Sequence, residues 1–256
     1  MNLREKFRKR ETIFGTMVRD AIALNIVDAL LWAGADFFVI DLEHTALDLA
    51  TIGPILQYAQ AKGLPAIVRV PVLDKTFVGR VLDCGAYGIW LPHLDTPDDA
   101  QELAFLGRYP PRGGRGATVP WAKRQRLQAF PSLREFFAAE DDQVALIGQI
   151  ESKEALANID EILAANLLDA VVIGPLDLSF DLGVPGEFHH PTVEEAMARV
   201  LQAAQKQGVS VGLHTADLED LRLWHARGMN FLVYSYDLVL MAERFSFAKR
   251  ALLGLK

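Results

Sequence analysis

The 256 residues predict an α/β chain folded as a (β/α)8 TIM barrel, on three observations: eight short apolar runs rich in Val, Ile and Phe, longer segments of helical period between most of them, and glycine closing several of those segments where a helix stops. The runs are TIFGTM (12–17), DFFVID (36–41), PAIVRV (65–70), YGIWLP (87–92), VALIGQIE (144–151), DAVVIGP (169–175), VSVGLH (209–214) and NFLVYS (230–235). Among the segments between them, LDLATIGPILQYAQAKG (47–63), TFVGRVLDCGA (76–86) and PTVEEAMARVLQAAQKQG (191–208) read as amphipathic helices. Repeated βα units of this kind lay down a parallel sheet, and eight of them close it. Residues 93–143 are too many for one helix and a turn. They predict an excursion between strands four and five, built around RYPPRGGRG (108–116). No Ser/Gly-rich linker or low-complexity segment interrupts the chain, so residues 1–256 are expected to form one domain.

Composition narrows the partners. Hydrophobic residues make up 51% of the chain, enough for a large core. The formal charge of −7 argues against nucleic acid or an anionic membrane surface, which leaves small molecules. Cys84 is the single cysteine, so one chain can hold neither a disulfide nor a cysteine-based zinc site, which suits a reducing cytoplasm. The basic opening MNLREKFRKR has no apolar segment after it, and no run of about eighteen apolar residues occurs, so a soluble, cytoplasmic protein is expected. GxGxxG, GxxxxGK[ST] and a glycine-rich cradle after strands seven and eight are all missing, which disfavours nucleotides and phosphosugars.

Barrel enzymes build their sites where the C-terminal ends of the strands meet the βα loops. Those positions here are unusually polar. Asp41-Leu42-Glu43-His44 follows strand two, Arg69 lies on strand three, Pro92-His93 ends strand four, and strand five delivers Gln149 and Glu151. Strand six leads through Gly174-Pro175 to Asp177, strand seven ends at His214, and strand eight runs into Ser235 and Asp237. This one-sided concentration favours an enzyme over a ligand-binding barrel without chemistry.

A carboxylate delivered by an apolar strand costs several kcal/mol to bury unless it is paired or bound to metal. Glu151 and Asp177, without cysteine or an HxH pair, form a hard oxygen set for a divalent cation, Mg²⁺ or Mn²⁺ with Co²⁺ possible as well. The plainer alternative makes them helix caps, or partners of Lys153 and nearby arginines. A 2-oxo acid would chelate such a cation, whose Lewis acidity favours an enolate. Arg69 would then face the oxyanion and His44 would shuttle protons, against the alternatives of a structural ion pair and an ordinary loop histidine. His93, His214 and Asp237 read as supporting residues, His189 and His190 as an exposed loop, and Cys84 as a small hydrophobe. No lysine stands at a strand end, which disfavours a Schiff base: Lys62 and Lys206 precede strands, and Lys75, Lys123 and Lys153 fall in loops or helix starts.

AGADFFVIDLEH, VRV, LDCGA, RYPPRGGRG, QIESKEALANIDEIL and GPLDLSFDLG, in this order over nearly the whole chain, resemble the HpcH/HpaI family of class II pyruvate aldolases. These are enzymes of the 2-dehydro-3-deoxyglucarate and 4-hydroxy-2-oxoheptanedioate aldolase type. The resemblance implies that Glu151 and Asp177 bind a divalent metal, Arg69 contacts the enolate oxygen, and His44 works through water as acid and base, oriented by Asp83. It also implies that Gln149 lies beside the substrate and that backbone amides around Leu176 and Asp177 hold the pyruvate carboxylate. The implied reaction cleaves a 4-hydroxy-2-oxo acid reversibly between C3 and C4 into pyruvate and an aldehyde. A citrate-synthase-like condensation on the same metal site is the alternative. The implied assembly is a homo-oligomer, a hexamer built from trimers with exchanged C-terminal helices, here residues 237–256. Three stretches depart from the pattern: Leu176 replaces the usual Ala, GTMVRD with Arg19 stands where a Trp is frequent, and VPWAKRQRL follows the excursion.

Overall fold

The computed structural model describes residues 2–254. Eight parallel strands close into a barrel in chain order: β1 (Ile13–Val18), β2 (Phe37–Asp41), β3 (Ala66–Arg69), β4 (Gly88–Leu91), β5 (Ala145–Ile150), β6 (Ala170–Ile173), β7 (Ser210–Thr215) and β8 (Phe231–Tyr236). Each coincides with one of the eight apolar runs. Strands β2 to β6 are buried at every residue, as expected where a parallel sheet is covered on both faces.

Helix α1 (Leu3–Arg8) precedes the barrel. The first half then adds α2 (Asn25–Trp32), α3 (Leu49–Lys62), α4 (Lys75–Asp83) and α5 (Pro97–Gly107). The excursion continues through a 3-10 turn (Trp121–Lys123), α6 (Arg124–Leu127) and α7 (Leu133–Asp141). The second half carries α8 (Lys153–Ala164), α9 (Pro175–Asp181), α10 (Pro191–Gln207), α11 (Leu218–Arg227) and α12 (Asp237–Leu253). Local chemistry starts and stops these helices. Asp48 caps α3 by accepting from the Thr51 amide, and Gly63 ends it at φ 76°, a left-handed turn that glycine adopts without strain. A capping box between Thr96 and Asp99 starts α5.

The core has two shells. Leu56, Val78, Ile159, Met197 and Trp224 pack with strand side chains in the outer one, while Met17, Phe37, Val39, Ile67, Trp90, Ile147, Val172, Phe231 and Val233 fill the inner one. Leu3 and Phe7 of α1 belong to the inner shell, and Phe7 meets Phe231 edge to face at 4.9 Å. Helix α1 therefore plugs one end of the barrel. Arg4 Nε donates to Asp169, just before β6, at 2.7 Å, and Ser210 Oγ at the start of β7 donates to the Phe7 carbonyl at 2.8 Å. These partners mark the floor, where strands begin.

The excursion is pinned by buried cations. Arg108 donates to the Val144 carbonyl at 2.8 Å, and Lys123 reaches Glu140 at 2.6 Å and the Leu82 carbonyl at 3.2 Å. At the other extreme stands α12, where Asp237 is the sole buried residue and Phe245 is 73% exposed.

Candidate active site

The rim opposite the floor is organised from Asp41 outward. β2 and β3 pair with Asp41 level with Arg69, and this register lets Arg69 grip both oxygens of the fully buried carboxylate, at 2.9 Å to Oδ1 and 2.7 Å to Oδ2. Burial alone pushes the Asp41 carboxyl up. The bonds and charge of Arg69 outweigh it and hold the group below the usual carboxylate range. The same carboxylate accepts from the Glu43 amide at 3.0 Å, and the Asp41 carbonyl accepts from Thr45 Oγ1 at 2.6 Å, which folds the following loop back on the strand.

That loop presents Glu43 and His44. Glu43 lies 3.0 Å from Arg69 Nη1, and its other contacts are two imidazoles, His44 at 3.7 Å and His93 at 3.5 Å. His93, two residues past β4, sits at φ 49°, a conformation that costs a non-glycine residue about 1 kcal/mol or more. The turn aims the His93 amide at Glu151 Oε1, at 2.8 Å, with the ring Nδ1 3.2 Å from the same oxygen. Gln149 bridges Trp90 and the other Glu151 oxygen, accepting from the indole and donating to the carboxylate. One connected path thus runs from His44 through Glu43 and His93 to Glu151.

Glu151 is 2% exposed, and burial pushes its carboxyl up. Hydrogen bonds from the His93 amide and Gln149 oppose the rise, and the negative charge of Asp177 adds to it. Asp177 stands exposed in the first turn of α9. A Cβ at Gly174 would meet the Glu151 carboxylate and the Gln149 amide, so a larger residue there would displace them. Leu176 is 52% exposed, and α9 begins without a side-chain cap, so the Leu176 and Asp177 amides open the helix unprotected.

Glu151 and Asp177 fit a hard divalent cation. Burial and the negative charge of Asp177 both oppose ionisation of Glu151, and a divalent cation held by these two carboxylates would favour its charged form. No cluster of three or more His, Cys, Asp or Glu side chains able to hold a metal occurs among the described residues, so water and substrate oxygens would complete the coordination.

Asp83 ends α4 and accepts from Arg115 at 2.7 Å, and among the described residues of one chain no ion pair joins it to His44. A helix in this barrel runs back from rim to floor, so its last residue lies away from the strand ends. Within the chain, Glu43 is the carboxylate beside His44. The supporting residues find structural partners. Asp237 Oδ2 accepts from the amides of Arg19, Asp20 and Ala21, ordering the loop after β1. His214 packs edge-on against Tyr236, and burial followed by the charge of Arg69 lowers its pKa to about 4. His189 lies 3.5 Å from Asp220, and the His190 side chain caps α10.

Sequence reading assigned no role to two rim residues. Asp41 gave no signal beyond its place at a strand end. Arg19, which stands where the family frequently has Trp, reaches the same centre, donating from Nη2 to the His44 carbonyl at 3.1 Å.

Three relatives bear on what this rim does. The chain is 31% identical over 244 residues to a hydroxypyruvate/pyruvate aldolase of Paraburkholderia phytofirmans, covering 93% of this chain and 92% of the relative. It is 32% identical over 206 residues to a 5-keto-4-deoxy-D-glucarate aldolase of Shigella dysenteriae, covering 80% and 79%. The crystal structure of an HpcH/HpaI aldolase from Desulfitobacterium hafniense superposes with a TM-score of 0.92 at 32% identity, covering 100% of this chain and 98% of that one. A barrel with this rim and these relatives is an aldolase-type lyase. The profile of the HpcH/HpaI aldolase/citrate lyase family matches residues 22–243, and the chain belongs to that family.

Proposed function

We propose that this aldolase depends on a divalent cation and cleaves a 4-hydroxy-2-oxo acid between C3 and C4, giving pyruvate and an aldehyde. The observation that carries the reading is the Glu151 site: a buried carboxylate beside a second one, Asp177, linked through His93 and Glu43 to an arginine and an exposed histidine. The relatives that act on hydroxypyruvate, pyruvate or a keto-deoxy sugar acid support the substrate class.

Glu151 and Asp177 would hold the cation, Mg²⁺ or Mn²⁺ by the hardness of their oxygens. When bound it supplies Lewis acidity at the ketone oxygen of the oxo acid. Arg69, its Nη1 toward Glu43 and its other donors on Asp41, is held as a fixed cation that favours negative charge on that oxygen. The amides of Leu176 and Asp177 orient the substrate carboxylate, and the Gln149 amide fixes the Glu151 oxygen next to it. His44, 55% exposed in its side chain and backed by Glu43, moves the C4 hydroxyl proton through a water.

The test is deuterium exchange at the methyl group of pyruvate, followed by NMR on protein stripped with EDTA and then given Mg²⁺ or Mn²⁺. Exchange that needs the cation and is lost in His44→Ala or Arg69→Ala is expected. A wild type that never exchanges would overturn the reading. Glu151→Gln should weaken Mn²⁺ binding in calorimetry by about 100-fold, the cost of losing a charged ligand.

A further inference from the structure

We propose that Asp181 is a positioning residue: it fixes Asp177 relative to Glu151 and thereby favours a small divalent cation over a large one. The proposal rests on the reading of Glu151 and Asp177 as the ligands of that cation. The two carboxylates are held in unequal ways. Glu151 is buried, and the His93 amide and the Gln149 side chain bind its oxygens. Asp177 is exposed in the first turn of α9, and its carboxylate has no hydrogen-bond or ion-pair partner among the described residues. Its place is therefore set by how α9 itself is held.

Helix α9 has seven residues and no side-chain cap, too short to be stable without outside contacts. Leu178 is buried, and the Ser179 hydroxyl donates to the Leu176 carbonyl at 2.6 Å and accepts from the Gly186 amide at 2.8 Å, which ties the helix to itself and to the loop after it. Two bonds reach the segment that carries Glu151. The Gly174 amide, just before α9, donates to the Ile150 carbonyl at 3.3 Å. At the far end Asp181 Oδ2 accepts from the Lys153 amide at 2.5 Å. Asp177 and Asp181 are four residues apart, so they share one face of the helix, one turn from each other. The bond at Asp181 sets which way that face turns, and Asp177 turns with it.

The bond does more than start a helix. Helix α8 already has its own cap, for Ser152 Oγ accepts from the Ala155 amide at 2.9 Å. The Lys153 amide is exposed and could be served by water. A second carboxylate four residues from Asp177 is also mildly unfavourable to α9. The anchor, in turn, is firm: Ser152 Oγ donates to the Asp95 carboxylate, and the Asp95 carbonyl accepts from Asn158 Nδ2 at 2.9 Å, bracing the turn from β5 into α8 against the loop after β4. A braced pair of carboxylates suits a cation such as Mg²⁺, which needs near-ideal octahedral geometry with oxygens at about 2.0–2.1 Å. Ca²⁺ takes oxygens at about 2.3–2.6 Å in flexible geometry, and tolerates a displaced ligand.

The experiment follows free Mn²⁺ by electron paramagnetic resonance on protein stripped with EDTA, with Mg²⁺ and Ca²⁺ titrated in competition. Wild type is compared with Asp181→Ala, Asp181→Asn and Asp160→Ala, the last breaking the exposed pair of α8 with Arg199 as a control for surface loss on the same helix. Circular dichroism is recorded on each. Asp181→Ala should weaken Mg²⁺ about 10-fold and Ca²⁺ less than about 3-fold. Asp181→Asn keeps an acceptor oxygen without the charge and should stay within about 2-fold of wild type. Asp160→Ala should leave both cations unchanged. Unaltered Mg²⁺ affinity in Asp181→Ala, or equal losses for both cations, would overturn the proposal. So would an Asp181→Asn variant as weak as Asp181→Ala, which would make Asp181 a distant charge rather than a tether. A wild type that binds none of the three cations sinks the metal reading of Glu151 and Asp177, and this proposal with it.

Discussion

Asp41 binds Arg69 through both oxygens and also accepts from the amide that starts the Glu43-His44 loop, so one carboxylate sets the arginine and the histidine together. Asp41→Asn keeps the shape and removes the charge, leaving a buried arginine with a single close acid, Glu43. A loss of about 3 kcal/mol is expected, which calorimetry would record as a fall in Tm of about 6–12 °C. Arg69→Lys retains the charge without the two-pronged grip, and pyruvate proton exchange should drop about 100-fold by NMR. His214 gives a pH dependence. Its folded pKa of about 4 lies below the ordinary 6.5, so between those values the unfolded chain holds the extra proton and stability falls as pH drops from about 7 to 4. Urea titrations across that range should show about 2 kcal/mol of loss, allowing for its partial exposure, and His214→Gln should flatten the slope.

At the level of elements, the turn from β6 into α9 runs close against the Glu151 and Gln149 side chains. Gly174→Ala would press a methyl group into the Glu151 carboxylate, displacing it from Asp177 while the strand and helix persist. Circular dichroism should stay close to wild type while Mn²⁺ affinity falls at least 10-fold. The same region shows what a reader of the sequence alone can see. Eight apolar runs locate eight strands because burial on both faces keeps their middles apolar, and most rim residues stand out as ionisable groups at or just past the C-terminal ends of those runs. Pairing is harder. That Glu43 stands by His44 within the chain follows from the fold of the loop after β2, which the sequence does not spell out. Asp41 and Arg69 meet through a cross-strand register that neither run reveals by itself.

Across the whole molecule, apolar surface is distributed unevenly. Met241, Phe245, Phe247, Leu252 and Leu253 of α12 are more than half exposed, and Trp32 of α2 is 92% exposed. A groove of about 230 Å³ lined by Phe14, Leu30, Tyr234 and Leu240 opens near them. Exposed apolar area of this kind is what association surfaces present, so light scattering is expected to find wild type larger than one chain, and Phe245→Glu is expected to shift it toward smaller species. The opposite end is closed. With Leu3 and Phe7 buried in the barrel interior and Arg4 tied to Asp169, traffic of substrate, product and solvent is confined to the rim. An affinity handle or surface linker joined ahead of α1 would leave from the sealed face, so an enzyme immobilised that way should keep its mouth toward solution and turn over at the rate of the free protein.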